Sequence, residues 1–173
     1  MAWYTIFVET GYEDLVVYFI NNKCDDSLKN EDYHLLVPKR KLIERKDGKN
    51  KKVIRKMFPG YVLVKTMDIE TFYKHTYQVP HILRFLRVGR AFLEIKENEI
   101  NHIIKLVNRE GIVEMSKGIR IGNSVRITNG PLMGNEGIIQ KIDWRKSRAK
   151  VSLFVNNYEF PIYLGLEDEY QII

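Results

Sequence analysis

Hydrophobic and polar positions recur at two different periods along this chain. Trp3 to Val8 is a run of aromatic and β-branched residues, which predicts a strand, and Gly11 ends it. Tyr12, Leu15, Val16, Phe19 and Ile20 then fall at the spacing of one face of an amphipathic helix. The polar stretch Asn21 to Asp32 reads as a loop. His34 to Arg45 and Lys51 to Thr66 read as two strands joined at Lys46-Asp47-Gly48-Lys49, where Asp-Gly favours a tight hairpin turn. The apolar residues Leu35, Val37, Tyr61, Val62, Leu63 and Val64 form a packed base to this hairpin, with its tip in solvent. Asp68 is placed to cap a short helix from Ile69 that carries Phe72 and Tyr73. Leu83 to Val88 predicts another strand, closed by Gly89. Ile100, Ile103, Ile104 and Val107 predict a further helix, ended by Gly111.

The period then changes. Glu110 to Gly118 has no pattern and reads as a linker. From Ile119 onward come short strands and turns: alternation at Val125-Arg126-Ile127, a turn at Asn129-Gly130-Pro131, and strands over Gly137–Ile142, Ala149–Val155 and Glu159–Leu164. Several strands without a helical stripe predict a small β-barrel. The expected class is α+β: an α/β domain over 1–109 built on an antiparallel sheet, a linker over 110–118, and a β domain over 119–173.

Composition sharpens this picture. The chain has 173 residues, 45% of them hydrophobic and 12% aromatic, enough to build a core and too many for a disordered chain. No apolar run approaches the roughly 20 residues of a membrane span. The opening MAWYTIFVETG has neither a basic leader region nor a small-residue cleavage site. Cys24 is the single cysteine, so neither a disulfide framework nor a cysteine zinc cluster is available. A monomeric, cytoplasmic protein without a membrane partner is the expectation.

The formal charge of +6 conceals two local excesses. Between Pro38 and Lys56 stand ten basic residues, Lys39, Arg40, Lys41, Arg45, Lys46, Lys49, Lys51, Lys52, Arg55 and Lys56, opposed by Glu44 and Asp47 alone. Lys141, Arg145, Lys146, Arg148 and Lys150 form a second cluster around Asp143. Concentrated positive charge attracts phosphates by releasing their counterions, so both clusters are candidate nucleic-acid contacts. Each is equally compatible with a solvated, charged hairpin.

Catalytic constellations are missing. There is no GxxxxGK[ST] loop, no HExxH and no GxSxG. His34, His75, His81 and His102 lack metal-ligand spacing. The acidic pairs Glu13-Asp14 and Asp25-Asp26 read as solvated groups at a helix start and in a loop, and Glu167-Asp168-Glu169 as a polar terminus. No enzyme, metal or cofactor is expected.

On these residues the chain resembles the NusG family of transcription factors. Trp3-Tyr4-Thr5-Ile6-Phe7-Val8 with Gly11 and Glu13 is similar to the family's first strand and helix start. Lys56-Met57-Phe58-Pro59-Gly60-Tyr61-Val62-Leu63-Val64 resembles the strand that follows a variable basic hairpin in its NGN domain, and Val79-Pro80 with Arg84-Phe85 its approach to the next strand. Gly122-Asn123-Ser124-Val125-Arg126-Ile127, Gly130-Pro131-Leu132, Gly137-Ile138-Ile139, Ile142-Asp143, Lys150-Val151, Phe160-Pro161-Ile162 and Tyr170-Gln171-Ile172 resemble a KOW domain, an SH3-like barrel. One position departs. Housekeeping members usually carry Phe after the Gly-Pro of the first KOW loop, where partners such as a ribosomal protein or a termination factor bind; here it is Leu132. Gly-Pro-Leu-Met-Gly-Asn-Glu-Gly is more similar to the specialised paralogues of the LoaP type.

The resemblance implies an antitermination factor without enzymatic activity. Phe7, Phe58, Tyr61 and Leu63 look similar to the residues that bind the clamp helices of the largest subunit of RNA polymerase. For a LoaP-type protein it implies recognition of a nascent RNA hairpin by Lys141, Trp144, Arg145, Lys146, Arg148 and Lys150, with Asn129 and Asn135 as neighbouring polar contacts. The basic hairpin residues Lys39, Arg40, Lys41, Arg45, Lys46, Lys49, Lys51 and Lys52 would lie near DNA or RNA at the transcription bubble. A housekeeping NusG factor and a KOW-type ribosome-associated RNA-binding protein are the alternatives.

Overall fold

The first strand is buried in succession from Trp3 to Ile6, on both faces of its sheet, as a near-continuous run of aromatic and β-branched residues predicts. The computed structural model describes residues 1–24, 26–30 and 33–171. In chain order its first elements are β1 (Ala2–Val8), α1 (Glu13–Lys23), β2 (Tyr33–Leu36), β3 (Lys39–Lys46), β4 (Lys49–Lys56), β5 (Tyr61–Thr66), α2 (Ile69–Thr76), β6 (Ile82–Phe85), β7 (Arg87–Val88) and β8 (Ala91–Phe92). Then follow α3 (Glu97–Leu106), β9 (Ile112–Val113), β10 (Ser116–Ile121), β11 (Ser124–Asn129), β12 (Ile139–Asp143), β13 (Arg148–Val155) and β14 (Tyr158–Asp168). Short 3-10 turns occupy Asp26–Asn30, Glu136–Ile138 and Glu169–Gln171.

The contacts group these residues into two compact units: 1–37 with 58–100, and 38–57 with 101–173. The first holds an antiparallel sheet in the order β2-β5-β1-β6. Tyr4, Ile6, Val8, Val62 and Val64 pack there with Val16 and Ile20 of α1 and Phe72 of α2. Asp68 caps α2 as expected, its Oδ1 accepting from the Thr71 N–H at 3.0 Å. The α1 stripe is narrower than the sequence suggests. Val16 and Ile20 are buried, while Tyr12 and Leu15 are exposed.

The second unit holds a five-stranded sheet in the order β11-β10-β14-β13-β12 and a three-stranded one in the order β4-β3-β9. Asp47 (φ 53°) and Gly48 (φ 75°) make the two-residue turn of β3–β4, both in the left-handed conformation that Asp-Gly tolerates. Leu42, Val113, Leu132, Val151, Leu153, Leu164 and Leu166 are fully buried in this unit.

Five expectations change. The long hairpin is two ladders, because the chain breaks at Pro38 and again over Met57–Gly60: β2 pairs with β5, and β3 with β4. The segment 110–118 is not a featureless linker, since Ile112 and Val113 pair in parallel with Lys39 and Arg40, and Ser116 begins β10. α3 ends at Leu106 rather than near Gly111, because Asn108 turns the chain, its Oδ1 accepting from the N–H groups of Glu110 and Ile112. Tyr170 and Gln171 lie in a 3-10 turn rather than a closing strand. The expected loop at Asn21–Asp32 instead starts as the end of α1 and continues as a 3-10 turn. Asp25, Glu31, Asp32 and Ile172 lie outside the described residues.

Candidate functional site

The exposed edge of the first unit carries an aromatic stripe built by strand register. Phe7 in β1 is the direct partner of Tyr61 in β5 and of Arg84 in β6. The Phe7 and Tyr61 rings meet edge to face at 4.9 Å, and the Arg84 guanidinium lies 4.6 Å above the Phe7 ring. Both rings are half-buried and Arg84 is exposed. Phe58, with its ring 6.4 Å from Tyr61, and Leu63 are each about 1% exposed or less. They support the stripe from inside and offer no surface of their own.

The turn that delivers Tyr61 is held by a buried carboxylate. Glu13, at the start of α1, is fully buried. Its Oε1 accepts from the Gly60 N–H at 2.7 Å and its Oε2 from the Gly11 N–H at 3.0 Å. Gly60 has φ 83°, and its carbonyl accepts from the Val8 N–H at 2.9 Å, tying the Phe58–Tyr61 turn to β1. Glu13 is therefore a positioning residue and not the solvated acid expected. No local pattern marks it, because its main partner is 47 residues away.

The second cluster lies on the turn Trp144–Ser147 between β12 and β13. Asp143 Oδ1 accepts from the Lys146 N–H at 3.1 Å, and the Ser147 carbonyl accepts from the Leu166 N–H at 3.0 Å, so the turn is fixed at both ends. Its side chains divide between two clefts. Lys141 and Trp144 line one of about 630 Å³, together with Ser124 and Gln140. There the Arg120 guanidinium covers the Trp144 ring at 4.7 Å, while its Nε pairs with Asp168 at 3.2 Å. Arg145, Lys146, Ser147 and Arg148 line the other, of about 520 Å³, opposite Ile43, Glu44, Arg45 and Asn50 of the β3–β4 hairpin. Lys150, Asn129 and Asn135 line neither; Asn135 Nδ2 donates to the Pro131 carbonyl at 3.0 Å within its own loop. Of the hairpin cations, Arg45, Lys46, Lys49, Lys51 and Lys52 are exposed. Lys39, Arg40 and Lys41 are half-buried, and Lys41 pairs with Glu114 at 2.8 Å.

The family model "Transcription termination factor nusG" matches residues 1–104. The chain belongs to the NusG family. A transcription termination/antitermination protein NusG of Buchnera aphidicola is 30% identical over 168 residues, covering 94% of this chain and 91% of the relative. The corresponding Helicobacter pylori protein is 29% identical over 167 residues, covering 94% of each chain. A solved structure titled "Domain interaction in Thermotoga maritima NusG" covers 95% of this chain and 93% of its own, with TM-score 0.53 and 23% identity, a likeness of fold.

Within this NusG-family chain Leu132, expected to set the loop apart, lies inside the fold. Leu132 is fully buried, and its N–H donates to Ser116 Oγ at 3.0 Å. The exposed side chain of that loop is Met133. Glu167 and Asp168, expected as a polar terminus, are the paired end of β14, opposite Lys117 and Gly118 of β10. Among the described residues no three His, Cys, Asp or Glu side chains gather as a metal requires. No helix among them is long and apolar enough to cross a membrane.

Proposed function

We propose that this NusG-family chain is an operon-selective antitermination factor of the LoaP type. Residues 1–109, the NGN domain of this reading, bind the clamp helices of the largest RNA polymerase subunit. Residues 119–173, an SH3-like KOW domain, contact a nascent RNA hairpin. The protein works in the cytoplasm as a monomer and catalyses nothing.

The observation that carries the polymerase contact is the Arg84–Phe7–Tyr61 stripe. Two aromatic rings locked edge to face lose little rotamer freedom on binding, and a guanidinium already seated on one ring adds a charge at the rim. The action is conformational. A protein that binds the closed, elongating polymerase more tightly than the paused one lowers pausing and hairpin-dependent termination by that difference in affinity. The LoaP-type assignment is supported by Leu132: a fully buried leucine presents no aromatic ring to a loop partner. The end-to-end likeness to NusG proteins favours a housekeeping factor as the second reading. Suppression of termination on every template, rather than on selected ones, would select it.

The test is equilibrium binding of labelled protein to core RNA polymerase. Truncation of two anchors at about 2 kcal/mol each weakens binding on the order of 1000-fold, so Phe7→Ala with Tyr61→Ala should lose it at micromolar concentration. An unchanged Kd for the double variant rejects the site.

A further inference from the structure

The β3–β4 hairpin and the β12–β13 turn are remote in sequence but belong to one compact unit. Strand pairing of β3 with β9, the Lys41–Glu114 ion pair and the approach of Lys52 Nζ to Glu167 at 3.8 Å tie the hairpin down. Gly165 of β14 makes room for it. A Cβ there would lie against Met115 Sδ and 2.7 Å from the Lys41 carbonyl oxygen.

The cleft enclosed between hairpin and turn is lined by four cations, Arg45, Arg145, Lys146 and Arg148, and one carboxylate, Glu44. That carboxylate is already engaged: Arg55 donates to both its oxygens, at 2.9 and 2.8 Å. Next to the cleft, burial pushes the Arg40 pKa down and the charge of Arg148 lowers it further, while Arg40 Nη1 donates to the Lys56 carbonyl at 3.2 Å. The Nε atoms of both arginines are buried, with no hydrogen-bond partner among the described residues. A desolvated cation beside a second one raises the free energy of the chain alone, and an anion held in the cleft against Arg148 offsets part of that repulsion.

The lining also selects among anions. Ile43 is its only apolar side chain and it contains no aromatic ring, so it offers no platform for stacking a base or a free nucleotide. Trp144, on the same turn, lines the other cleft. Guanidiniums on two facing walls suit the repeated phosphates of a backbone.

We propose that this cleft grips the phosphodiester backbone of a nucleic-acid duplex, with the hairpin and the turn acting as two walls of a single groove. The proposal rests on the nucleic-acid reading of the turn and extends it to Arg45 and Asn50 on the hairpin. The groove holds backbone and reads no bases, so binding through it is independent of sequence and strongly dependent on salt.

Fluorescence anisotropy with a 20-base-pair RNA stem-loop of arbitrary sequence, and a DNA stem-loop of matched sequence, tests it over a salt series. Arg45→Ala with Asn50→Ala removes the hairpin wall, and Arg145→Ala with Lys146→Ala the turn wall. Arg45, Asn50, Arg145 and Lys146 are exposed, so neither pair endangers folding. Each pair should weaken binding about ten-fold. The slope of log K against log salt should fall by about one for the hairpin pair and about two for the turn pair. The hairpin pair should lose most of its effect once the turn pair is present. The two probes distinguish a nascent RNA stem from template duplex, and binding of either meets the proposal. Binding of neither stem at 50 mM salt overturns it. If the hairpin pair changes neither affinity nor slope while the turn pair lowers both, the shared groove is wrong and the turn alone binds. If neither pair has an effect, the nucleic-acid reading of the turn fails as well.

Discussion

Glu13→Ala tests how the Arg84–Phe7–Tyr61 stripe is held. The carboxylate is fully buried and receives the N–H groups of Gly60 at 2.7 Å and Gly11 at 3.0 Å. The Gly60 bond is buried, and losing a hydrogen bond to a charged group there costs about 1.5–3 kcal/mol. Gly11 is exposed, so water replaces part of its bond and the cost is about 0.5–1 kcal/mol. Some desolvation cost of the carboxylate is regained when it is removed. The net loss is about 1–3 kcal/mol, equivalent to about 2–12 °C in Tm for a chain of this size. The assay is urea unfolding followed by Trp3 fluorescence in a Trp144→Phe background, because Trp3 and Trp144 are the only tryptophans and lie in different units. Glu13→Gln keeps an acceptor for Gly60 and should lose about 1 kcal/mol. Amide exchange at Gly60 should speed up in the Ala variant, and polymerase binding should weaken although Glu13 is fully buried. An unfolding midpoint and Gly60 protection equal to wild type would refute the positioning role.

Other consequences are testable in the same way. Gly165→Ala should destabilise the second unit by about 1–3 kcal/mol and increase proteolysis of the β3–β4 hairpin, because the new methyl group meets Met115 and the Lys41 carbonyl. Leu132→Ala should cost about 2–5 kcal/mol in unfolding, as for a fully buried leucine, and a negligible loss would show that this loop is not anchored in the core. Asp68 has its pKa held down by hydrogen bonds from the Thr71 hydroxyl and backbone N–H, with Lys74 adding a smaller pull. Its ionised form therefore stabilises the fold above the unfolded pKa of about 3.9, and that contribution is lost as pH falls through the lower folded value. Asp68→Asn should accordingly be less stable than wild type at neutral pH, with the difference closing in acid; a gap independent of pH would contradict it.

What the sequence discloses depends on how local the determining contacts are. β1, the Asp68 cap and the Asp47-Gly48 turn were legible because a few adjacent residues dictate them. The break between β2 and β3 was missed because apolar residues run through it, and only Pro38, whose carbonyl accepts from the Met57 N–H at 2.9 Å, marks it. β9 is two residues long and leaves no periodicity to read. In the stripe, Phe7 and Tyr61 were found by resemblance, but Arg84 joins them only through the β1–β6 register. Resemblance grouped Leu63 with Tyr61, yet it could not tell that Leu63 is fully buried while Tyr61 is half-buried. The two charge clusters were plain in the sequence. That they line one cleft was not, since about a hundred residues separate Arg45 from Arg145.

The central claim is that this NusG-family chain acts on transcribing polymerase through Phe7 and Tyr61. Single-round transcription across a hairpin-dependent terminator, with purified protein added during elongation, measures this most directly. Wild-type protein should raise the read-through fraction in proportion to its occupancy of polymerase, and the Phe7→Ala, Tyr61→Ala variant should leave read-through at the level seen without protein. Equal read-through with the variant and the wild type would contradict the account.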